Sequence, residues 1–274
     1  MYAFGPLPRQ KRSGHVIGTH QKIDRVARRH IEPRLVSAVE FPEIQKILHF
    51  EGSRGPDSIK MRSPGRDEPW HFIDPKNITT SDPLLEIIDD HIVNLTTALV
   101  DSNQERAAFE AAWLAHAVAD GLTPAHHEPL DEQLKGLRAT DHRASKFRSR
   151  VIMSGGGSRK QFIQNNWKYW GTKGIMTMHT LFEAGIATTA KPQRFNNAVL
   201  TDAEINILKQ RGFRAIYTDM VGEIDSLDMY GRFRREGWTH ELARQTSRVL
   251  LPTVIRAVTL AWYEAYVQAV EVKR

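Results

Sequence analysis

The chain has 274 residues, enough to bury a substantial core as one large domain or two small ones. It contains no cysteine, which excludes disulfides, thiolate metal ligands and cysteine nucleophiles, so any metal must be held by histidine and carboxylate. The net charge is +6, and there is no apolar run of the roughly 20 residues that a membrane span requires.

In chain order, the opening residues lack the apolar stretch of a secretory signal, so a cytoplasmic location is the default expectation, or secretion if a signal was removed. Thr19 or a neighbour starts a helix running from Gln21 through Arg29, ended before Pro33. Residues 51–76 mix Gly, Pro, Ser and charge without a period. That stretch is too long for a passive loop in a compact domain, which marks it as a functional one. Ser81-Asp82-Pro83 is a helix start, a capping side chain followed by proline in the first turn. Leu84, Leu85, Ile88, His91, Ile92, Leu95 and Leu99 then form an apolar stripe at helical spacing. Residues 103–119, rich in Ala, Glu and Leu, make the next helix, which ends near Gly121, a residue suited to leaving a helix.

Thr201-Asp202-Ala203-Glu204 is a capping box opening a run towards Gln210. The last run, roughly 241–270, is helical except where Pro252 kinks or divides it, and its Trp262, Tyr263 and Tyr266 are core or packing aromatics. No segment alternates as a sheet strand would. The expected fold is all-α, one domain over residues 1–274 with long ordered loops and a basic, glycine-rich insertion at about 130–170. Between Lys135 and Lys160, eight basic residues stand against one acid, Asp141, around a Ser154-Gly155-Gly156-Gly157-Ser158 run ill-suited to regular structure. The segment reads either as a mobile basic flap meeting an anionic substrate, nucleic acid or a phospholipid surface, or as a solvated loop.

The chemistry lies in His116-Ala-Val-Ala-Asp120-Gly-Leu-Thr-Pro124-Ala-His126. His116 and Asp120, four apart on a helix, share a face, and Pro124 stiffens the turn that presents His126. Two imidazoles and a carboxylate converging within so short a span are what a borderline metal such as zinc requires. A second pair, His179 and Glu183, again four apart, sits in a mostly apolar helical run. A carboxylate on an apolar face is costly to bury unless something positive meets it, so this pair also asks for a cation.

Together with Asp57 after Gly55-Pro56 and with His71-Phe72, these motifs resemble the zinc-dependent phospholipases C and the related single-strand-specific zinc nucleases. The family's ligand order reads here as His20, Asp57, His71-Phe72, His116-x3-Asp120-x5-His126 and His179-x3-Glu183. The resemblance implies a multi-helix bundle with long ordered loops and a trinuclear metal site, holding two or three zinc ions in this chain. It would assign Asp57, His71, His116 and Asp120 to one zinc, and His126, His179 and Glu183 to a second. Asp120 would bridge to a third, bound also by His20. In much of the family a mature N-terminal Trp completes that third site; this chain has none there, and His15 would stand in for it. The connection between His126 and His179 is longer than the family's, which places the basic insertion near the mouth of the site.

The resemblance also makes Asp57 the candidate base orienting the attacking water. Asp74 either holds the second nitrogen of a ligand histidine or serves an ordinary turn. Of the other histidines, His127 should point away from the site, and His30, His49, His91, His142 and His240 are structural or surface residues without partnered carboxylates at ligand spacing. The expected activity is hydrolysis of an anionic phosphodiester with a metal-activated water, phospholipase C-like because Glu183 is that form of the last ligand. The alternatives are a zinc nuclease acting on single-stranded nucleic acid, which the basic insertion suits, or a metal-stabilised binding protein without turnover. No protein partner is inferred.

Overall fold

The computed structural model describes residues 18–36, 38–51, 55–57, 71–128, 133–134, 136–137, 152–155 and 157–274. Every regular element among them is helical, as expected from the sequence. None of these helices is long and apolar enough to cross a membrane.

Helix α1 (Thr19–Ile31) starts after Gly18 and runs into a 3-10 turn, Glu32–Arg34, that contains Pro33. Helix α2 (Ile44–Glu51) was not legible in the sequence. Helix α3 (Pro83–Val100) begins as expected, the Asp82 side chain accepting hydrogen bonds from the backbone nitrogens of Leu84 and Leu85. Its stripe is buried from Leu84 to Leu99, with His91 at the edge. Helix α4 (Gln104–Gly121), capped by Asn103, pairs with α3 as a helical hairpin.

Alanine decides what α4 becomes. Ala107, Ala108, Ala111, Ala112, Ala115, Ala117 and Ala119 are all buried, so helices pack closely on more than one side of α4. It lies against α2, α3 and the C-terminal helix α10 (Leu251–Val272). Trp262 of α10 is fully buried and donates through Nε1 to Ala111 O at 2.9 Å. Tyr266 fixes the chain after α1, its hydroxyl donating to Val36 O at 2.6 Å and accepting from Val36 N at 2.7 Å.

The second half packs around α6 (Ile175–Ala190). Helices α5 (Arg159–Trp170), α8 (Met229–Glu236) and α9 (His240–Gln245) pack on it, while α7 (Asp202–Asp225) lies against α10. Helix α7 opens with the expected capping box but continues well past Gln210, through a break at Gly212 with φ 72° and ψ 162°. The break frees the Phe213 N–H, which Glu264 Oε2 accepts at 2.7 Å. Between α9 and α10 a turn of π-helix, Thr246–Leu250, precedes Pro252, which stands in the first turn of α10. The run therefore stays helical from His240 to Val272, and the π-turn just before Pro252 accommodates the proline without ending the helix.

The insertion is more structured than its glycines suggest. Ser158 caps α5, and Leu134, Leu137, Met153 and Tyr169 form a small core of their own, with Ile175 and Met176 of α6 against it. Lys135, Arg138, Asp141, His142, Arg143, Lys146, Arg148, Arg150 and Gly156 lie outside the described residues, so the flap expectation is tested only at the edges of the segment.

Candidate metal centre

The last turn of α4 points His116 and Asp120 into the protein, 0% and 1% exposed. An imidazole and a carboxylate this deep need partners of opposite character, and neighbouring elements bring them. From α1 comes His20, whose Nε2 lies 3.2 Å from Asp120 Oδ1. From the segment after residue 70 comes His71, whose Nδ1 is 3.0 Å from Asp120 Oδ2, while His116 Nε2 is 3.1 Å from that same oxygen. The rings of His20 and His116 stack at 4.0 Å, nearly parallel. Asp57 Oδ1 lies 3.7 Å from His116 Nε2. One carboxylate is thus ringed by three imidazoles.

A second group adjoins the first. The 3-10 turn Pro124–His126 directs His126 Nε2 to within 3.3 Å of Glu183 Oε1 and 4.0 Å of Asp120 Oδ1. Along α6, His179 Nε2 lies 3.0 Å from the same Glu183 oxygen. The geometry satisfies ligand spacing for both sets: His20, His116 and Asp120 in one, His126, His179 and Glu183 in the other, each with donor atoms within 4.8 Å of one another. Phe72 stacks on the His126 ring at 4.8 Å.

Hydrogen bonds fix which nitrogen of two rings faces inward. His126 Nδ1 donates to the His71 carbonyl at 2.9 Å, leaving Nε2 towards the carboxylates. His116 Nδ1 donates at 2.9 Å to Oε1 of Glu51, the fully buried last residue of α2, leaving Nε2 towards Asp120. The Nε2 atoms of His20 and His116 are buried and have no partner in hydrogen-bond geometry. Buried nitrogens facing a carboxylate without a hydrogen bond suit a metal ion. His, Asp and Glu side chains are also the donors that zinc accepts.

The buried imidazoles and carboxylates compensate one another's charge. Burial opposes charge on His116, but the Asp120, Glu51 and Asp57 carboxylates push its pKa up to about 10. Burial works to raise Asp120, yet cationic neighbours including His116 and His126 hold it well below the usual carboxylate range. Glu183 is likewise held low against its burial, the His179 charge and hydrogen bonds from both histidines being among the causes. Burial lowers the pKa of His126, against the opposing pull of the Asp120 charge and the Glu183 hydrogen bond.

Sequence reasoning therefore placed His20, Asp57, His71, His116, Asp120, His126, His179 and Glu183 where the fold gathers them. His15 lies outside the described residues. Glu51 and Asp24 were missed. Asp24, one turn beyond His20 on α1, is buried, and burial with the Glu51 charge beside it pushes its carboxyl well up. Its spacing from His20, i to i+4, was the available signal. Asp74 is not an outer carboxylate of the site; its oxygens accept from Lys76 N and Asn77 Nδ2, a turn role.

His127 points away as expected, donating to Gly121 O at 2.9 Å. His91 does have a carboxylate partner, contrary to expectation. Its Nδ1 lies 2.5 Å from Glu110 on the facing helix, a pairing that spacing within one helix does not reveal. Gly121 is needed for a different reason from the one its sequence position suggested. It stays helical, and a Cβ there would collide with Tyr217 Oη and Leu84 Cδ2.

No family model, no curated protein and no solved structure matches this chain.

Proposed function

We propose that the chain is a zinc-dependent phosphodiesterase of phospholipase C type. The observation that carries this reading is the shared carboxylate: Asp120 contacts the first histidine group directly and reaches to 4.0 Å of His126 in the second. Asp57, His71, His116 and Asp120 would hold one zinc, and His126, His179 and Glu183 another. His20 with Asp120 would hold a third, His15 completing it. Bound there, zinc ions supply Lewis acidity towards a phosphodiester and lower the pKa of water.

The rest is the work of the chain's own residues. Glu51 keeps the His116 ring in the tautomer whose Nε2 faces the centre. Phe72 covers the His126 ring and limits its rotation. Asp57, whose side chain is 24% exposed beside the buried His116, would orient the attacking water and take its proton.

The test is a panel of bis-aryl phosphate, short-chain phospholipid and single-stranded oligonucleotide, assayed before chelation, after it, and after zinc is returned. Phosphodiester hydrolysis that is lost on chelation and restored by zinc is the expected result. Hydrolysis of the oligonucleotide alone would make the chain the nuclease form. Tight zinc retention without turnover of any substrate would make it a metal-stabilised binding protein.

A further inference from the structure

Helix α5 is inverted relative to an ordinary surface helix. The side chains it buries are Asn165 and Tyr169. Asn165 Nδ2 donates to Leu137 O and Gly155 O, at 3.3 and 2.8 Å. Asn166 accepts from Met153 N at 3.1 Å and donates to Met153 O at 2.9 Å. The outward side carries Phe162, Ile163, Trp167 and Trp170, which are 42%, 59%, 68% and 45% exposed. With about 100° between successive residues, all four fall within an arc of about 140°. An amphipathic helix normally turns such a stripe to the core. Leu181 on α6, the helix that α5 packs against, is 51% exposed as well. Large apolar side chains gathered on one exposed face in this way mark a site of association.

Charge indicates what the patch meets. Between Asp141 and Glu183 the sequence contains no acid and eight Lys or Arg residues. Arg159, Lys160, Lys168 and Lys173 are exposed and have no carboxylate partner among the described residues. A second copy of the same face would set these cations against one another without a balancing acid. A single-stranded nucleic acid would need flat rings along a groove, whereas Ile163 offers no π-face and the α5 surface is convex. Tryptophan beside aliphatic residues, flanked by lysine and arginine, is the composition of a helix lying in the membrane interface.

We propose that α5 is a membrane-docking helix whose Phe162-Ile163-Trp167-Trp170 face enters the headgroup layer of an anionic phospholipid bilayer, with Arg159, Lys160 and Lys168 meeting the lipid phosphates. Helix α5 is tied to α6, since Trp170 O accepts from Thr177 Oγ1 at 3.0 Å. Helix α6 carries His179 and Glu183, so docking would bring the helix that holds the second group to the lipid surface. That consequence, which makes a bilayer phospholipid the substrate, rests on the phosphodiesterase reading; the docking surface does not.

The test uses the full, zinc-loaded chain in flotation with vesicles of phosphatidylcholine, alone or mixed with phosphatidylglycerol. The chain should float with the anionic vesicles at low salt, with a blue shift of tryptophan emission. Ile163→Gln with Trp167→Gln should weaken binding roughly tenfold or more. Neutralising Arg159, Lys160 and Lys168 to Gln should weaken it about a hundredfold, from about fivefold per cation, and by less in high salt. In both variants the circular dichroism and the turnover of a soluble aryl phosphodiester should stay as in wild type.

Failure of the wild-type chain to float with anionic vesicles would overturn the proposal, as would flotation of the Ile163/Trp167 variant equal to wild type. So would a wild-type dimer that this variant makes monomeric, or retention of a single-stranded oligonucleotide in place of vesicles. A chain that binds vesicles yet hydrolyses no phosphodiester keeps the docking helix and overturns the proposed function instead.

Discussion

Asp120→Asn keeps the shape of the side chain and removes one negative charge from the most crowded point of the site. The carboxylate is 1% exposed and lies 3.0 to 3.2 Å from nitrogens of His20, His71 and His116. In the metal-free protein its loss strips His116 of its strongest counter-charge. Deleting one partner of a buried pair costs about 3–5 kcal/mol, because the other is left buried and uncompensated. For a chain of this length that is a fall in Tm on the order of 10 °C. On the proposed function, the substitution also removes the carboxylate that would be shared between metals, so bound zinc and phosphodiesterase activity should fall together. Asp219→Asn, which touches only the exposed Asp219–Arg211 pair, serves as the control and should shift stability by less than about 1 kcal/mol. Thermal unfolding with and without chelator, together with elemental analysis, makes the comparison. An Asp120→Asn protein with wild-type zinc content and Tm would remove Asp120 from the centre of the site.

Glu51→Gln keeps an acceptor for His116 Nδ1 but not the charge, and should weaken zinc binding about 10–100-fold in competition with a chelator; unchanged affinity would reduce Glu51 to packing. The proton on His116 sets a pH dependence. Because its folded pKa is raised to about 10, its ion pairing stabilises the metal-free protein fully below about 6.5 and is lost as pH climbs through about 10. Zinc must displace that proton, so zinc affinity should rise at least about tenfold per pH unit over this window, with proton release visible by calorimetry in buffers of different ionisation enthalpy. A pH-independent affinity would contradict the assignment of His116 as a ligand. Gly121→Ala, where the added methyl meets Tyr217 and Leu84, should lower the urea-unfolding free energy by about 1–3 kcal/mol, and an unchanged midpoint would show that the α4–α7 packing yields there.

The parts of this protein that the sequence displayed are those governed by local rules. Asp82-Pro83 and the Thr201/Glu204 box announced their helices because caps act over three residues. His116/Asp120 and His179/Glu183 were visible because a helix brings residues four apart to one face. What stayed hidden depends on tertiary placement. Glu51 became an outer carboxylate only because α2 packs on α4, and the Glu110 partner of His91 lies across the α3–α4 hairpin. The described parts of the irregular 51–76 segment bring Glu51, Asp57, His71 and Phe72 to the candidate site. Its pattern gave no hint of which residues would meet. At the edge of the glycine-rich run, Gly155 N donates to Leu137 O at 2.9 Å beside the small core around Met153 and Tyr169, a contact between distant residues that the local pattern does not show.

The most direct test of the metal centre is anomalous diffraction at the zinc edge from crystals of the zinc-loaded protein. The account predicts peaks about 2.0–2.2 Å from ligand atoms, at least one against His116 and Asp120 and another against His126, His179 and Glu183. Zinc found only elsewhere on the chain, or none bound, would contradict it.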